Sequence, residues 1–304
     1  MRIIKTLEEL PKTADTLLIV ATYHKGKLLP RFRNTFDYVK PKELPFPCIT
    51  FMQDKEDIER YSWLSDDWII WAPEEPELTD LARVRWFIQT RVTDADYDTL
   101  YLLDDDMKFA WRDLWIPNKY HNVESFAALI GDFERTYDQM CVVPKHRIGI
   151  MGMPSRFGSS GITEDQWNKR VICFYRMSLK VLKENNVWFD WQQILMSDFH
   201  LDLSVAYAGL LSYTVAKYTR DGRENPKDEG GCNTYRNGAK ALYEEMTKRL
   251  KNIFPEAVDV FFDNRNGYYP EGVLAPRIKW RMLSEISDKH WAEKYNKESN
   301  YVGK

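Results

Sequence analysis

The sequence of 304 residues has few cysteines, and none of the four is placed for a common structural role. They lie far apart and include no Cys-x-x-Cys pair, at Cys48, Cys141, Cys173 and Cys232. Zinc modules and disulfide-stabilised secreted domains both need closely spaced or paired cysteines. The sequence therefore predicts neither a zinc site nor a disulfide framework, and we expect the protein to work in a reducing cytoplasm.

Long hydrophobic runs and a strong charge of one sign are missing as well. The apolar run at 17–21 is too short for a signal peptide, and no run approaches the roughly 20 apolar residues of a membrane span. The 43 Lys and Arg residues against 46 Asp and Glu give a net charge of −3, which excludes a polycation that coats nucleic acid. We therefore expect no membrane association, and no obligate protein partner is indicated.

Apolar runs alternate with helical patterns in the first third of the sequence, which predicts an α/β fold with a mostly parallel sheet flanked by helices. The candidate strands are continuous apolar runs, typical of strands buried on both faces, at 16–22, 48–53, 68–72 and 100–103. A helix is predicted after Thr79 or Asp80, with Leu81, Val84 and Ile88 on one face. Such sheets bind ligands beyond the carboxyl ends of their strands, so we expect the site there.

The second half of the sequence is less regular. A stretch rich in Gly and Ser at 149–161 predicts a loop that is long enough to be mobile. We expect a strand at 170–175 and a short helix that starts at an N-cap, Ser197, and stops at Gly209. An amphipathic helix is predicted at 239–254.

Three consecutive carboxylates follow the fourth candidate strand without any turn signal. Leu100–Leu103 is apolar, and Asp104, Asp105 and Asp106 come directly after it. Side chains alternate along an extended backbone, so Asp104 and Asp106 face one side and Asp105 the other. Two carboxylates at the mouth of a buried strand suit one Mg²⁺ or Mn²⁺ that also binds phosphates. We predict that Asp104 and Asp106 are metal ligands; a polar loop after a core strand is the alternative.

Two further segments lie near the same predicted edge. Arg85 is on the helix that leads into the Asp strand, and its planar guanidinium suits a nucleotide diphosphate. Thr22 and Tyr23 follow the first strand, where a tyrosine can stack on a base and a threonine can donate a hydrogen bond. We predict that these three residues contact a nucleotide; a surface arginine and an ordinary loop are the alternatives.

A second pair of acids lies on the short predicted helix of the second half. Asp198 and Asp202 are four residues apart and share a helix face, whereas His200 points elsewhere. An Asp at a helix start beside a metal can act as a general base. The alternative is that acids in a first helical turn simply complement the helix dipole.

Together these residues resemble the GT-A class of nucleotide-sugar glycosyltransferases. Arg85 on a helix, followed by Tyr-Leu-Leu-Asp-Asp-Asp at 101–106, is similar to the Arg-bearing helix and Asp-x-Asp motif of that class. The class also has a Glu-Asp-x-Asp-Leu segment before a helix that ends in Ala-Gly, and Asp198 takes the place of its catalytic or acceptor-binding Asp. Ser197 and His200 depart from that pattern, which has Glu and Asp there. The resemblance implies a Rossmann-like GT-A sheet, a nucleotide-sugar donor (a UDP-sugar) and Mn²⁺ or Mg²⁺.

Within this class the chain is most like the phage-type DNA-base glycosyltransferases, also called TET-associated glycosyltransferases. The resemblance is carried by Leu-Leu-Asp-Asp-Asp-Met-Lys-Phe-Ala-Trp-Arg at 102–112, Met-Pro-Ser-Arg-Phe-Gly at 153–158 and Gly-Gly-Cys-Asn-Thr-Tyr-Arg at 230–236. It implies transfer of a sugar to the hydroxyl of a hydroxylated or hydroxymethylated cytosine or uracil in phage DNA, in the host cytoplasm. Residues expected to contact the acceptor DNA are Arg156, Arg170, Arg223, Cys232 and Arg236, with Arg220 as a further candidate contact to DNA phosphates.

The resemblance also implies a single GT-A-like domain over 1–304. Its parts are a nucleotide-sugar-binding half at 1–115, an acceptor and catalytic half at 116–238, and a C-terminal helical extension at 239–304. Asp105 would contact the donor, and the enzyme would be a hexosyl- or pentosyltransferase. Three alternatives stay open: a GT-A enzyme acting on a glycan or protein, a two-metal nucleotidyl- or phosphoryltransferase, and a non-enzymatic binding domain. The sequence has no Walker-type glycine loop, which counts against NTP hydrolysis.

Overall fold

The chain was analysed as a computed structural model. It describes residues 2–10, 12–22, 34–53, 58–59, 61–74, 78–113, 116, 119–140, 144–155, 164–221 and 239–299.

The strands are short, as continuous apolar runs bounded by polar residues predict. In chain order they are β1 (Arg2–Ile4), β2 (Thr16–Ala21), β3 (Cys48–Phe51), β4 (Ile69–Trp71), β5 (Thr99–Asp104), β6 (Lys108–Arg112), β7 (Tyr120–Asn122), β8 (Ile148–Gly152), β9 (Gln166–Trp167), β10 (Phe174–Ser178), β11 (Leu211–Thr214), β12 (Tyr218–Asp221), β13 (Val258–Asp263) and β14 (Val273–Ile278).

The α-helices lie between these strands and after them. They are α1 (Asn34–Tyr38), α2 (Leu81–Asp94), α3 (Phe126–Gln139), α4 (Leu179–Glu184), α5 (Ser197–Tyr207), α6 (Lys240–Ile253) and α7 (Leu283–Ser299). The predicted cap of α2 is confirmed, because the Asp80 carboxylate accepts a hydrogen bond from Arg83 N at 2.9 Å. No helix in the described part of the chain is long and apolar enough to cross a membrane.

A nine-stranded sheet forms the centre of the described structure, in the order β1-β4-β3-β2-β5-β10-β8-β11-β9. The first five strands in this order are parallel to their neighbours, and β10 runs antiparallel between β5 and β8. Ala21 pairs with Asp104, so the carboxyl ends of β2 and β5 lie side by side. The predicted fold class, a mostly parallel sheet flanked by helices, is confirmed.

Residues of the central strands alternate between the two faces of the sheet. Leu17 and Ile19 of β2 pack with α2, α4 and α5 on one face, and Leu18 and Val20 pack with α3 and β6 on the other. All four are fully buried. This double coverage explains why β2 and β5 are continuously apolar and hold the carboxyl edge rigidly.

The loop predicted from residue 149 begins later than the sequence indicated. Residues Ile148–Gly152 form β8, a buried strand inside the sheet. Its glycines are needed for close packing: a Cβ on Gly149 would come 3.0 Å from Leu182 Cδ2, and one on Gly152 would come 2.9 Å from Phe174 O. Glycine normally weakens a strand, which is why the composition favoured a loop.

The strand expected at 170–175 is also displaced. It begins at Phe174, because Cys173 has a left-handed backbone with φ 66° and interrupts the extended chain. The structure has two further sheets that the sequence analysis did not predict. One is the three-stranded sheet β12-β6-β7, and the other is the hairpin of β13 and β14, which packs against α6.

Candidate active site

The Asp triplet lies at the carboxyl edge of the central sheet, where β5 ends. Asp104 is the last residue of β5, and its backbone N–H donates to Cys173 O at 2.9 Å. The buried Thr35 hydroxyl fixes the turn that follows: it donates to Asp104 O at 2.7 Å and accepts from Met107 N at 2.9 Å. Hydrogen bonds therefore hold the backbone at the start of the triplet, at Asp104, and directly after it, at Met107.

Arg85 reaches the triplet from the buried face of α2. Its Nη2 donates to both Asp104 carboxylate oxygens, at 2.9 Å and 3.0 Å. The guanidinium lies 5.6 Å from the Tyr175 ring and 5.8 Å from the Phe189 ring, so its charge is surrounded by aromatic faces. Burial disfavours this charge, but Asp104 together with Tyr175 and Cys173 outweighs burial and raises the pKa of Arg85 well above its usual value.

The three carboxylates of the triplet have different surroundings. Asp105 is buried and accepts a hydrogen bond from the Tyr61 hydroxyl at 3.0 Å, whereas Asp104 faces Arg85. Asp106 is half-buried and belongs to the turn after the strand. The opposite orientation of Asp104 and Asp105 agrees with alternation along an extended chain. The predicted contact of Asp105 with a nucleotide-sugar stays a prediction, and one of its carboxylate oxygens already accepts the hydrogen bond of Tyr61.

Asp104 and Asp106 are the residues that would hold a divalent ion. Carboxylate oxygens are the ligands that Mg²⁺ and Mn²⁺ prefer, and a site that also holds phosphates needs only one or two from the protein. Within the described ranges no group of three or more His, Cys, Asp or Glu side chains is arranged for a metal. The donor set fits an ion whose remaining ligands are phosphate oxygens and water.

Asp198 lies in the first turn of α5 and is held by an arginine. Arg170 donates to Asp198 Oδ2 through Nε at 2.8 Å and through Nη2 at 2.5 Å. The guanidinium also lies over the Phe199 ring, 4.2 Å from its centroid. Ser197 is the first residue of α5 and makes no capping hydrogen bond, so the predicted N-cap is wrong; Met196 precedes it with φ 64°.

The other predicted members of the α5 face follow the expected helical spacing. Asp202 is buried beside Asp198, and its carboxylate accepts from Val171 N at 3.1 Å and 3.3 Å. Burial, followed by the Asp198 charge, raises the pKa of Asp202 well above its usual value. His200 points away from this face and packs on Phe254, with its Nε2 3.4 Å from Asp190.

A contact of Arg85 joins the triplet to the start of α5. Arg85 Nη1 is 3.4 Å from Ser197 Oγ, while Nη2 of the same side chain bonds to Asp104. The buried Tyr175 lies beneath, and both Asp104 and Asp198 raise the pKa of its hydroxyl after burial itself. The predicted metal ligand and the predicted catalytic Asp198 therefore lie at one edge of the sheet.

The remaining predicted site residues are placed only in part. Thr22 is buried at the end of β2, and its hydroxyl donates to Phe51 O at 3.1 Å, which ties it to β3. Its nucleotide contact stays a prediction. Five residues lie outside the part of the chain that the structure describes: Tyr23, Arg156, Arg223, Cys232 and Arg236.

Three residues that support the site were not predicted from the sequence. Thr35, Tyr61 and Tyr175 support the triplet and Arg85 through single hydroxyl groups or a ring face. They are distant in sequence from the residues they contact and belong to no spaced pattern. Only the fold identifies such partners, since a hydroxyl or ring is as common in an ordinary core.

Comparisons with known proteins found no matching protein-family model and no matching curated protein sequence. Solved structures do match. A mannosyltransferase, PcManGT from Pyrobaculum calidifontis, in complex with GDP-Man and Mn²⁺ is 11% identical with a TM-score of 0.49, over 91% of this chain and 69% of that chain. GalNAc-T7 with UDP, GalNAc and Mn²⁺ is 11% identical with a TM-score of 0.42, over 90% of this chain and 54% of that chain.

The chain is also similar to S. aureus TarS. The TarS 1–349 structure in complex with UDP is 12% identical with a TM-score of 0.42, over 78% of this chain and 65% of that chain. Against the longer TarS chain the TM-score is 0.43, and the match covers 40% of that chain. This chain therefore spans less than two thirds of the length of these TarS chains.

Proposed function

We propose that the protein is a metal-dependent glycosyltransferase that moves a sugar from a nucleotide-sugar, a UDP-sugar, to an acceptor hydroxyl. The observation that carries the proposal is the Arg85 contact to both Asp104 and Ser197. It brings a two-carboxylate metal site and the acid at the start of α5 to the carboxyl edge of an α/β sheet, where such folds bind nucleotides. The sequence resemblance to GT-A enzymes points to the same residues.

Each side chain has a role that its surroundings allow. Asp104 and Asp106 would hold a divalent ion, which supplies charge neutralisation for the diphosphate leaving group when bound. Arg85 orients Asp104 from the buried side by donating to both of its carboxylate oxygens. Asp198, fixed by Arg170, is positioned to accept the proton of the acceptor hydroxyl or to orient the transferred sugar.

The rival phosphoryl-transfer mechanism receives less support from the site. Two-metal enzymes bridge ions about 3.5–4 Å apart with several shared carboxylates. Among the described residues, no group of three or more His, Cys, Asp or Glu side chains lies together where it could hold metal ions. One ion that also binds a donor diphosphate is the simpler use of Asp104 and Asp106.

We further propose that the acceptor is a modified pyrimidine in phage DNA. This part rests on the sequence resemblance alone. Of the expected DNA contacts, Arg170 donates its guanidinium hydrogen bonds to Asp198, and Arg220 is buried on β12. The other expected contacts lie outside the described residues. A base in duplex DNA would have to be flipped or presented by bending to reach Asp198. A GT-A enzyme with a glycan or protein acceptor is the second candidate.

The donor proposal is tested by thermal unfolding with a panel of nucleotide-sugars in the presence of Mn²⁺. A bound donor raises the unfolding temperature by mass action, so at least one UDP-sugar should stabilise the wild-type protein only when Mn²⁺ is present. Asp106→Asn should abolish this shift. Asp96→Asn is the matched control, since the exposed Asp96 pairs with Lys12 and precedes the amino end of β5, whereas the triplet lies at its carboxyl end. A shift that is equal in the Asp106→Asn protein would contradict the proposed metal site.

The acceptor proposal needs a separate measurement. The protein would be expressed in cells whose DNA carries hydroxylated pyrimidines, and the digested nucleosides would be analysed by mass spectrometry. A hexosyl or pentosyl mass added to the modified nucleoside, lost in an Asp198→Asn strain, is the expected result. Unmodified nucleosides together with Mn²⁺-dependent donor binding would reject DNA as the acceptor and favour a glycan or protein.

A further inference from the structure

Arg220 is a buried arginine whose charge has no protein partner in the described part of the chain. It lies on β12 opposite Phe109 of β6, and only 5% of its surface is exposed. Its backbone N–H donates to Pro154 O at 3.1 Å. Its Nε is buried and makes no hydrogen bond, and none of the described carboxylates forms an ion pair with it.

Two other buried arginines of the described fold form ion pairs. Arg85 bonds to Asp104 at 2.9 Å, and Arg176 bonds to Glu134 at 2.8 Å, each with a side chain only 4% exposed. Burying a cation without a counter-ion costs several kcal/mol, so proteins rarely keep one. A charge that lacks a protein partner is explained when a bound anion supplies the partner.

The position of Arg220 places it beside the Asp triplet. Phe109, its cross-strand partner, follows Asp106 by three residues in sequence. Residues that pair directly across an antiparallel sheet point to the same face, so Arg220 lies on the buried face that carries Phe109. The Phe109 ring is 6.0 Å from the ring of Phe174, and the residue before Phe174, Cys173, accepts the hydrogen bond of Asp104 N. The Arg220 side chain is therefore on the buried side of β12, near the end of β5.

We propose that Arg220 binds the diphosphate of the nucleotide-sugar donor. This inference rests on the proposed function and adds a residue to it. Arg85, the arginine that the sequence indicated for the diphosphate, already bonds to Asp104. The Nε–H of Arg220, in contrast, has no acceptor in the protein. The planar fork of a guanidinium matches two phosphate oxygens. The metal and Arg220 together offset the charge that develops on the leaving group.

The test compares binding of UDP and of uridine to the full chain by calorimetry and thermal unfolding, with Mn²⁺ present. Arg220→Gln should weaken UDP binding at least tenfold, because a charge-assisted contact to phosphate is lost, and should leave uridine binding unchanged. Arg220→Lys keeps the charge and loses the fork, so its UDP affinity should fall by a smaller factor. Arg277→Gln is the matched control, an exposed strand arginine that stacks on Phe261.

The outcomes separate this inference from the function on which it rests. Wild-type protein that binds UDP, with Arg220→Gln binding it equally well, overturns the role of Arg220 and leaves the glycosyltransferase proposal standing. Wild-type protein that binds neither UDP nor inorganic pyrophosphate with Mn²⁺ overturns both. If Arg220→Gln does not fold, Arg220→Lys decides: weaker UDP binding with unchanged uridine binding supports the role, and unchanged UDP binding overturns it.

Discussion

At the scale of single residues, Arg85 contributes most to the geometry of the proposed metal site. It is buried, it bonds to both oxygens of Asp104, and it reaches the first residue of α5. A buried ion pair adds little net stability when whole, but loss of one partner leaves an uncompensated charge. The pair therefore fixes the orientation of Asp104 rather than strengthening the fold.

The first prediction concerns this pair. Arg85→Met should lower the free energy of unfolding by about 3 kcal/mol, because the Asp104 carboxylate loses its counter-ion. The double substitution Arg85→Met with Asp104→Asn should cost clearly less than the sum of the single changes, since no unpaired charge remains. Urea denaturation of the four proteins measures the coupling. Additive free-energy changes would show that the two side chains do not depend on each other.

His200 provides a residue-scale prediction about pH. Burial lowers its pKa from 6.5 to about 4; Asp190 acts in the opposite direction, and Arg249 adds to the decrease. The unfolded chain therefore binds a proton below about pH 6.5 that the folded chain takes up only near pH 4. Stability should fall by about 3 kcal/mol as the pH drops through this window.

The measurement is the free energy of unfolding of wild type and His200→Gln at several pH values. The difference between the two proteins isolates the histidine from the many carboxylates that also titrate. The difference should change between pH 6.5 and 4 and stay constant above that range. A difference that does not depend on pH would mean that His200 is not buried as a neutral ring.

At the scale of elements, the sequence identified those whose hydrophobic pattern is regular. The strands β2, β3, β4 and β5 and the helices α2 and α6 agree with the predictions to within a few residues. The strand β8 was missed, because its two glycines lower the strand signal although neighbouring side chains require them. The N-cap of α5 was also wrong: Ser197 lies near Arg85, and only the tertiary fold brings these residues together.

The glycine of β8 gives an element-scale prediction. In Gly152→Ala the new Cβ would contact the Val171 side chain and lie 2.9 Å from Phe174 O, so the sheet must shift. A loss of about 1–3 kcal/mol in unfolding free energy is expected. Gly131→Ala is the matched control, since no atom lies within 4 Å of its Cβ and the residue is inside α3. It should gain about 0.5–1 kcal/mol, because Ala favours a helix over Gly. Equal stability of the two variants would contradict the packing assigned to β8.

At the scale of the whole molecule, the chain separates a rigid edge from a less regular half. The fold class could be predicted from local hydrophobic patterns in the single sequence. The same patterns placed Arg85 and the Asp triplet near one edge of the sheet, where Arg85 contacts Asp104. The three-stranded sheet β12-β6-β7 could not be predicted in this way, because β12 pairs with a strand far away along the chain, with Tyr218 opposite Trp111. The β13-β14 hairpin was also not predicted, although its two strands are close in sequence. The sequence indicated Arg220 only as a contact to DNA phosphates, and its proposed role at the donor diphosphate depends on the fold, in which its Nε is buried without a hydrogen bond.

The central claim is that the Asp triplet holds a divalent ion for sugar transfer from a nucleotide donor. The most direct measurement is Mn²⁺-dependent hydrolysis of a UDP-sugar in the absence of acceptor, followed by release of UDP. We predict that wild-type protein releases UDP only when the metal is present. Asp106→Ala should reduce the rate at least a hundredfold, because the metal no longer stabilises the leaving group. Equal turnover by the wild-type and Asp106→Ala proteins, with the same dependence on Mn²⁺, would contradict it.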